Sequence, residues 1–112
     1  MIRLTVFYNL PPDTDEQEFV EWRLTAHQLA KGGMPGVVAT TFHRIIDSAD
    51  GKSPQYRFMT TADWTDRQSF EQGFYDARVQ ETLKHDLARV RDAVFLVSEQ
   101  LSPSETSRNV TK

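Results

Sequence analysis

The side chains whose types and spacing are best suited to chemistry are Arg23 and His27. They lie four residues apart in a segment whose apolar residues recur with helical periodicity, so one helix face carries both. In a small cavity, a guanidinium can hold an anionic or enolic oxygen, and its charge helps to keep a neighbouring imidazole neutral and ready to accept a proton. We therefore predict Arg23 as the oxyanion holder and His27 as the catalytic base or acid. The structural alternative places Arg23 at the helix flank, reaching solvent, and His27 against a backbone carbonyl.

The other two histidines, His43 and His85, fall in different parts of the chain. His43 lies in a β-branched run, on the same strand face as Thr41 and Ile45. It is the third catalytic candidate if that face borders the cavity, and an interface residue if that face meets a second chain. His85 adjoins Asp86 in a helical segment and is expected to face solvent or to cap the helix.

Four aromatic residues are candidates for the walls of a substrate pocket: Tyr8, Trp22, Phe42 and Trp64. Flat rings at helix and strand spacing suit a flat aromatic or otherwise hydrophobic ligand. The same spacing is also typical of an ordinary hydrophobic core.

Several chemistries have no support in the chain. It contains no cysteine, which excludes disulfides, thiol catalysis and cysteine-ligated metals. Its three histidines show no metal-ligand spacing, and neither a glycine-rich phosphate loop nor a Gly-x-Ser-x-Gly motif is present. We therefore expect no metal and no cofactor.

Length and composition indicate one globular domain. The chain has 112 residues, of which 38% are hydrophobic and 26% charged. We predict a single domain over residues 1–101 and a polar tail without order over residues 102–112. The net charge of −3, without a basic run, argues against binding to nucleic acid or an anionic membrane, and no apolar span approaches about 20 residues. The expected location is the cytoplasm.

The local patterns predict four strands and two helical regions. Capping boxes at Thr14 and Thr65, each with glutamine three residues later, predict the two helix starts. In the second region, the apolar residues that share a helix face with Phe70 and those that share one with Leu83 point about 120° or more apart. One straight helix cannot direct both towards the same core, so we predict a break near residues 75–77. The predicted elements are strand 2–8, helix 14–31, strand 37–46, strand 55–64, helical region 65–90 and strand 94–97.

The resulting β-α-β-β-α-β order predicts an α+β, ferredoxin-like fold, with a four-stranded antiparallel sheet and helices on one face. The first strand carries Leu4, Val6 and Tyr8 on one side and Thr5 and Phe7 on the other, and the fourth strand is apolar on both sides. An apolar sheet face without helices needs a cover, and a second copy of the chain supplies one. We therefore predict a homodimer whose sheets pack face to face.

At this point the residues resemble the dimeric α/β-barrel superfamily, and within it the small EthD-like and REDY-like proteins. The resemblance covers residues 1 to about 101 in element order. EthD-like proteins are similar in having a histidine near the end of the first helix, where His27 stands. The segments that carry the resemblance are residues 1–8, the helical segment with Phe19, Trp22, Arg23 and His27, residues 54–56 and residues 92–99.

The resemblance implies a homodimer that binds a small molecule, but it leaves the reaction open, because members of the superfamily differ in function. The leading hypothesis is a cofactor-independent enzyme of the oxygenase, cyclase or isomerase type, acting on an aromatic or polyketide-like metabolite. The first alternative is a non-catalytic binding or accessory protein of a biosynthetic or catabolic pathway. The second is a haem-binding or haem-degrading protein, for which His85 and Asn9 stand roughly where haem-degrading members place an axial histidine and an asparagine.

Overall fold

The computed structural model of the chain describes residues 1–25 and 33–102. Four antiparallel strands form one sheet in the order β2-β3-β1-β4. The predicted ferredoxin-like α+β fold is confirmed. The elements are β1 (Ile2–Asn9), α1 (Glu16–Leu24), β2 (Ala39–Arg44), β3 (Phe58–Trp64), α2 (Arg67–Phe74), α3 (Ala77–Leu87) and β4 (Arg91–Glu99).

Two aspartates cap α1 and α2, each one residue after the threonine that the sequence predicted. The Asp15 carboxylate accepts the Glu18 N–H at 3.2 Å, and the Asp66 carboxylate accepts the Ser69 N–H at 2.7 Å. A carboxylate at a helix start gains both a hydrogen bond and a favourable interaction with the helix dipole. The predicted caps at Thr14 and Thr65 were therefore wrong by one position.

The predicted break between the two later helices is confirmed. Helix α2 ends at Phe74 with Tyr75 as its C-cap, and the Asp76 carboxylate accepts the N–H groups of Arg78 at 2.9 Å and Val79 at 3.1 Å at the start of α3. The change of direction lets Val79 pack against the core below α2, while Leu83 borders a cavity further along the sheet. The break thus turns α3 towards the sheet.

Strand lengths differ from the predicted ones in both directions. Strands β2 and β3 are shorter than predicted, and β2 starts late because residues 34–37 form a turn closed by the Val37 N–H and the Met34 carbonyl at 3.2 Å. Gly36, with φ of +77°, supplies the left-handed conformation of this turn. Strand β4 is longer than residues 94–97, because β1 pairs with it from Ile2 to Asn9 and so draws polar flanking residues into the sheet.

Two hydrophobic clusters fill the space between the sheet and the helices. One lies below α2 around Trp64 and Phe70, whose rings are 5.1 Å apart. The other lies below α1 around Phe19 and Phe58, whose rings are 5.3 Å apart. The space between the two clusters is where the structure leaves a cavity.

The opposite side of the sheet, which we call the open face, carries Thr5, Phe7, Met59, Thr61, Val94 and Leu96. Residues Phe7, Met59 and Val94 face each other across three neighbouring strands. None of the described helices packs against this face, and Leu96 is 51% exposed. Within the described ranges, no helix combines the length and apolar character that crossing a bilayer requires.

Candidate functional site

An apolar cavity lies between the covered side of the sheet and helices α1 and α3. It consists of two adjoining parts with volumes of about 120 Å³ and 100 Å³. Both parts are bordered by residues of β1, β3, β4 and α3: Val6, Thr60, Leu83, Asp86 and Phe95. Cavities of this kind, mostly apolar with a few polar groups, are typical of small-molecule sites.

Arg23 brings a positive charge to the border of this cavity. Its Nη2 donates to the Thr60 hydroxyl at 3.3 Å, and its guanidinium lies over the Phe42 ring, 4.6 Å from the ring centre. The Tyr8 and Thr60 hydroxyls are 2.9 Å apart, so three polar groups meet at one end of the cavity. These contacts hold the guanidinium against the sheet, whereas the structural alternative had it reaching solvent.

Asp86 is the acidic residue at this site, and it was not among the predicted site residues. It projects from α3 into both parts of the cavity and is half-buried. Burial raises the pKa of the Asp86 carboxyl above its ordinary value, against the opposing charges of Arg23, Arg89 and His85. A carboxyl with a raised pKa is suited to exchanging a proton nearer neutral pH than an ordinary aspartate.

A signal for Asp86 was present in the sequence. Leu83, Asp86, Leu87 and Val90 recur at the spacing of one helix face, and all four line the cavity. A carboxylate within an apolar helical stripe points to a polar group inside a pocket or to a paired charge. The prediction treated Asp86 only as the neighbour of His85 and so overlooked its place in the stripe.

Two of the four predicted wall residues border the cavity, namely Tyr8 and Trp22. The Trp22 ring lies 5.7 Å from the Phe19 ring, and the Arg89 guanidinium lies over it, 4.2 Å from the ring centre. Phe42 lies behind Arg23 and supports it from β2.

Trp64, the fourth predicted wall residue, is 0% exposed and belongs to the cluster below α2. Its indole N–H donates to the Pro35 carbonyl at 3.0 Å. The residues lining the cavity do not include Trp64 among those that the structure describes. Its position is that of a core residue, which was the alternative reading of the aromatic pattern.

The histidines take different positions. His27 lies outside the described residues. His43 lies on the side of the sheet away from the cavity, and its Nε2 is 3.0 Å from the Thr41 hydroxyl. This is the position for which the sequence analysis predicted an interface residue. The His85 side chain is 78% exposed beside Glu81, and the Asn9 side chain binds the backbone of Gln55 and Arg57, so neither borders the cavity.

The chemistry of the cavity follows from its groups. Arg23 can hold an anionic oxygen, the Tyr8 and Thr60 hydroxyls can donate to it, and Asp86 can exchange a proton. Among residues 1–25 and 33–102, no three side chains of the metal-binding types come together. The described groups are those of anion binding and acid–base exchange.

Comparison with known proteins gives a family and a fold. The family model described as REDY-like protein HapK matches residues 2–101 of the chain. No curated protein matches it. The match extends over all seven elements of the structure.

Three solved structures are similar in fold. An EthD family protein from Bacillus halodurans has 22% identity and a TM-score of 0.73, and the match covers 90% of this chain and 99% of that protein. A dimeric ferredoxin-like protein of unknown function from Thermobifida fusca has 18% identity and a TM-score of 0.66, and the match covers 88% of this chain and 90% of that protein. SnoaB, a cofactor-independent oxygenase from Streptomyces nogalater, has 16% identity and a TM-score of 0.66, covering 93% and 96%. At these identities the likeness concerns the fold alone.

Proposed function

Since the chain belongs to the REDY-like HapK family, we propose that it is a small-molecule-binding protein whose cavity holds a largely apolar metabolite by an anionic oxygen. The observation that carries this proposal is the placement of Arg23 at the border of a mostly apolar cavity. An aromatic or polyketide-like metabolite has the matching form, a flat apolar body with an ionisable oxygen.

The surroundings of Arg23 favour an anion over a neutral oxygen. The cavity walls are mainly aliphatic and aromatic, so an ion pair with the guanidinium is less screened there than in water. The Thr60 and Tyr8 hydroxyls stand beside the guanidinium and can rotate to donate to the same oxygen. Trp22 borders the same part of the cavity and adds aromatic surface to the wall that the apolar body would contact.

Binding of naphthalene-2-sulfonate tests the anion site, because this probe is flat, apolar and ionised at every pH used. Isothermal calorimetry of the wild type and Arg23→Met is expected to show affinity at least about tenfold lower in the variant, since a single charged hydrogen bond contributes about 1.5–3 kcal/mol. Arg78→Met removes an exposed arginine of α3 and serves as the matched control, with unchanged affinity. Equal affinity of the wild type and Arg23→Met would refute the proposal.

We further infer that the protein is a cofactor-independent enzyme of the oxygenase, cyclase or isomerase type. Such an enzyme needs a base near the oxygen that Arg23 holds, and His27, four residues further along the chain, is the candidate. SnoaB performs cofactor-independent oxygenation on a similar fold, so the fold is compatible with chemistry of this kind. The alternative is an accessory protein that binds a pathway intermediate and releases it unchanged.

His27→Ala separates the enzyme from the accessory protein. We expect the variant to lose turnover by about 100-fold or more, the usual contribution of a general base, while it still binds naphthalene-2-sulfonate. The measurement is product formation, by mass spectrometry, from candidate hydroxyaryl and polyketide substrates. Product formation that survives in His27→Ala would remove His27 from the mechanism, and recovery of every bound substrate unchanged from the wild type would favour the accessory protein.

We also propose a homodimer formed through the open face. Phe7, Met59, Val94 and Leu96 give this face an apolar centre, and the described helices all lie on the other side. The similar protein from Thermobifida fusca is dimeric. A second copy would place the apolar centres of two open faces against each other, and His43 would then lie in the interface. The cytoplasmic location stays a prediction.

A further inference from the structure

The hydroxyl of Thr60 is the point where polar groups meet at the cavity. It accepts a hydrogen bond from Nη2 of Arg23 at 3.3 Å and lies 2.9 Å from the Tyr8 hydroxyl. In the part of the chain that the structure describes, these two side chains are its hydrogen-bonding partners. Thr60 borders both parts of the cavity, whereas Tyr8 borders one of them and is 6% exposed. The direction of the bond between the two hydroxyls therefore decides which of them can serve a ligand.

A count of hydrogens limits what the two hydroxyls can offer. A hydroxyl has one hydrogen and two acceptor sites, and a guanidinium has hydrogens only. Arg23 therefore fills one acceptor site of Thr60, and the bond between Thr60 and Tyr8 uses one of the two hydroxyl hydrogens. While that bond lasts, the pair has a single hydrogen left for a ligand.

We propose that Thr60 supplies this hydrogen, and that the ligand oxygen which accepts it belongs to an ionised phenol or enol. Tyr8 then donates to Thr60 and fills its second acceptor site, so the Thr60 hydrogen is directed to a third partner, the ligand in the cavity. This proposal rests on the proposed anion site at Arg23. It names the second donor of that site and the class of oxygen that the site takes.

The chemistry of the two hydroxyls favours this direction. A phenol is more acidic than an aliphatic alcohol, and its oxygen shares electron density with the ring, so Tyr8 is the better donor and Thr60 the better acceptor. In this direction Thr60 accepts two hydrogen bonds, one of them from a charged group, and both polarise its own O–H bond. A hydroxyl polarised in this way binds an anionic oxygen more strongly than an isolated hydroxyl does.

The same arrangement selects the form of the ligand. With both acceptor sites of Thr60 filled, Thr60 and Arg23 present only hydrogens to an arriving oxygen. A neutral phenol or enol carries a hydrogen of its own, for which these two residues offer no acceptor. An ionised oxygen accepts from both, and hydrogen bonds to a charged acceptor are the stronger ones. The two residues therefore favour the ionised form over the neutral one.

Binding of 2-naphthol tests the donor, because this probe has a single oxygen and its ionised form absorbs at longer wavelengths than tryptophan. Absorption titrations at a series of pH values give the affinities of the neutral and the ionised probe for the wild type, Thr60→Val and Thr60→Ser. Valine keeps the branched shape of threonine without the hydroxyl, whereas serine keeps the hydroxyl. Thr60→Ser is therefore the matched control for Thr60→Val.

We expect Thr60→Val to bind the ionised probe about tenfold or more weakly than the wild type, the usual contribution of a hydrogen bond to a charged group. The neutral probe should bind equally well to both proteins. Bound naphthol should therefore ionise about one pH unit higher in Thr60→Val than in the wild type, because only its ionised form loses a donor. Thr60→Ser should behave like the wild type.

Tyr8→Phe decides the direction of the bond between the hydroxyls. The variant keeps the ring and leaves the Thr60 hydroxyl in place, so its affinity for the ionised probe should fall by less than that of Thr60→Val. If Tyr8 were the donor to the ligand, Tyr8→Phe would show the tenfold loss and Thr60→Val would keep the wild-type affinity. That result would overturn the proposal, and a tenfold loss in Tyr8→Phe does so even if Thr60→Val fails to fold.

The remaining outcomes separate this proposal from the one on which it rests. Binding of the ionised probe that depends on Arg23 but is equal in the wild type and Thr60→Val removes the Thr60 donor and leaves the anion site standing. Equal losses of the neutral and ionised probe in Thr60→Val refute the selection of the ionised form. Naphthalene-2-sulfonate binding that is unaffected by Arg23→Met refutes the anion site itself.

Discussion

Gly73→Ala is expected to lower the free energy of unfolding by about 2–5 kcal/mol, a large part of the 5–15 kcal/mol that stabilises a domain of this size. A Cβ at this position would stand 2.1 Å from the Pro35 carbonyl oxygen and 2.6 Å from the Trp64 indole nitrogen. Those two atoms form the hydrogen bond that ties the residue 34–37 turn to β3. The added methyl group separates them, leaves a buried indole N–H without its partner and forces α2 away from the turn.

Urea unfolding monitored by tryptophan fluorescence measures this effect, because Trp64 lies at the altered site. Gln72→Ala is the matched control, since it places the same residue at the neighbouring exposed position of α2 and should change stability by less than about 0.5 kcal/mol. Unfolding of Gly73→Ala at the wild-type urea concentration would show that the turn can move aside.

Leu96→Glu is expected to convert the proposed dimer into a monomer. The side chain is 51% exposed in a single chain, so glutamate there is tolerated by the fold, but in the dimer each interface would bury two carboxylates without partners. A penalty of about 4 kcal/mol raises the dissociation constant by about 1,000-fold. Sedimentation equilibrium at micromolar concentration measures the change directly.

Leu24→Glu provides the control for this experiment. Leu24 is 60% exposed at the end of α1, on the helix side of the molecule, so the same substitution there should leave the dimer intact. A monomeric wild type would refute the dimer, and a dimeric Leu96→Glu would move the interface to another surface. A folded, monomeric Leu96→Glu would also give a direct measure of how much the partner stabilises each chain.

The sequence predicted the elements whose signals are local. The break near residues 75–77 follows from two apolar helix faces that cannot both face the core from one straight helix. The Asp76 carboxylate caps the new helix at this break. Strand ends were less accurate, because β4 gains its length from pairing with β1 and not from its own apolar residues. Pairing partners are distant in sequence, so a local pattern cannot set where a strand ends.

In the candidate site, too, the sequence predicted what depends on local spacing and missed what depends on contacts between distant residues. Arg23 was predicted from its helix position, and the structure places it at the cavity. Trp64 could not be told from a wall residue, since core and pocket aromatics have the same spacing, and only the Pro35 and Phe70 contacts distinguish them. Asp86 becomes prominent only once α3 lies across from α1, because its importance comes from the charge that faces it.

The break at Asp76 also separates two helices, α2 and α3, that differ in how deeply their side chains are buried. Helix α2 contributes the fully buried Phe70 and the buried Gly73, whereas α3 buries none of its residues completely. Amide hydrogens of α3 are therefore free to exchange through local openings that leave the sheet and α2 intact. We therefore expect α3, which carries Asp86, to open locally more readily than the sheet that holds Thr60, and such openings would give a ligand a route in without global unfolding.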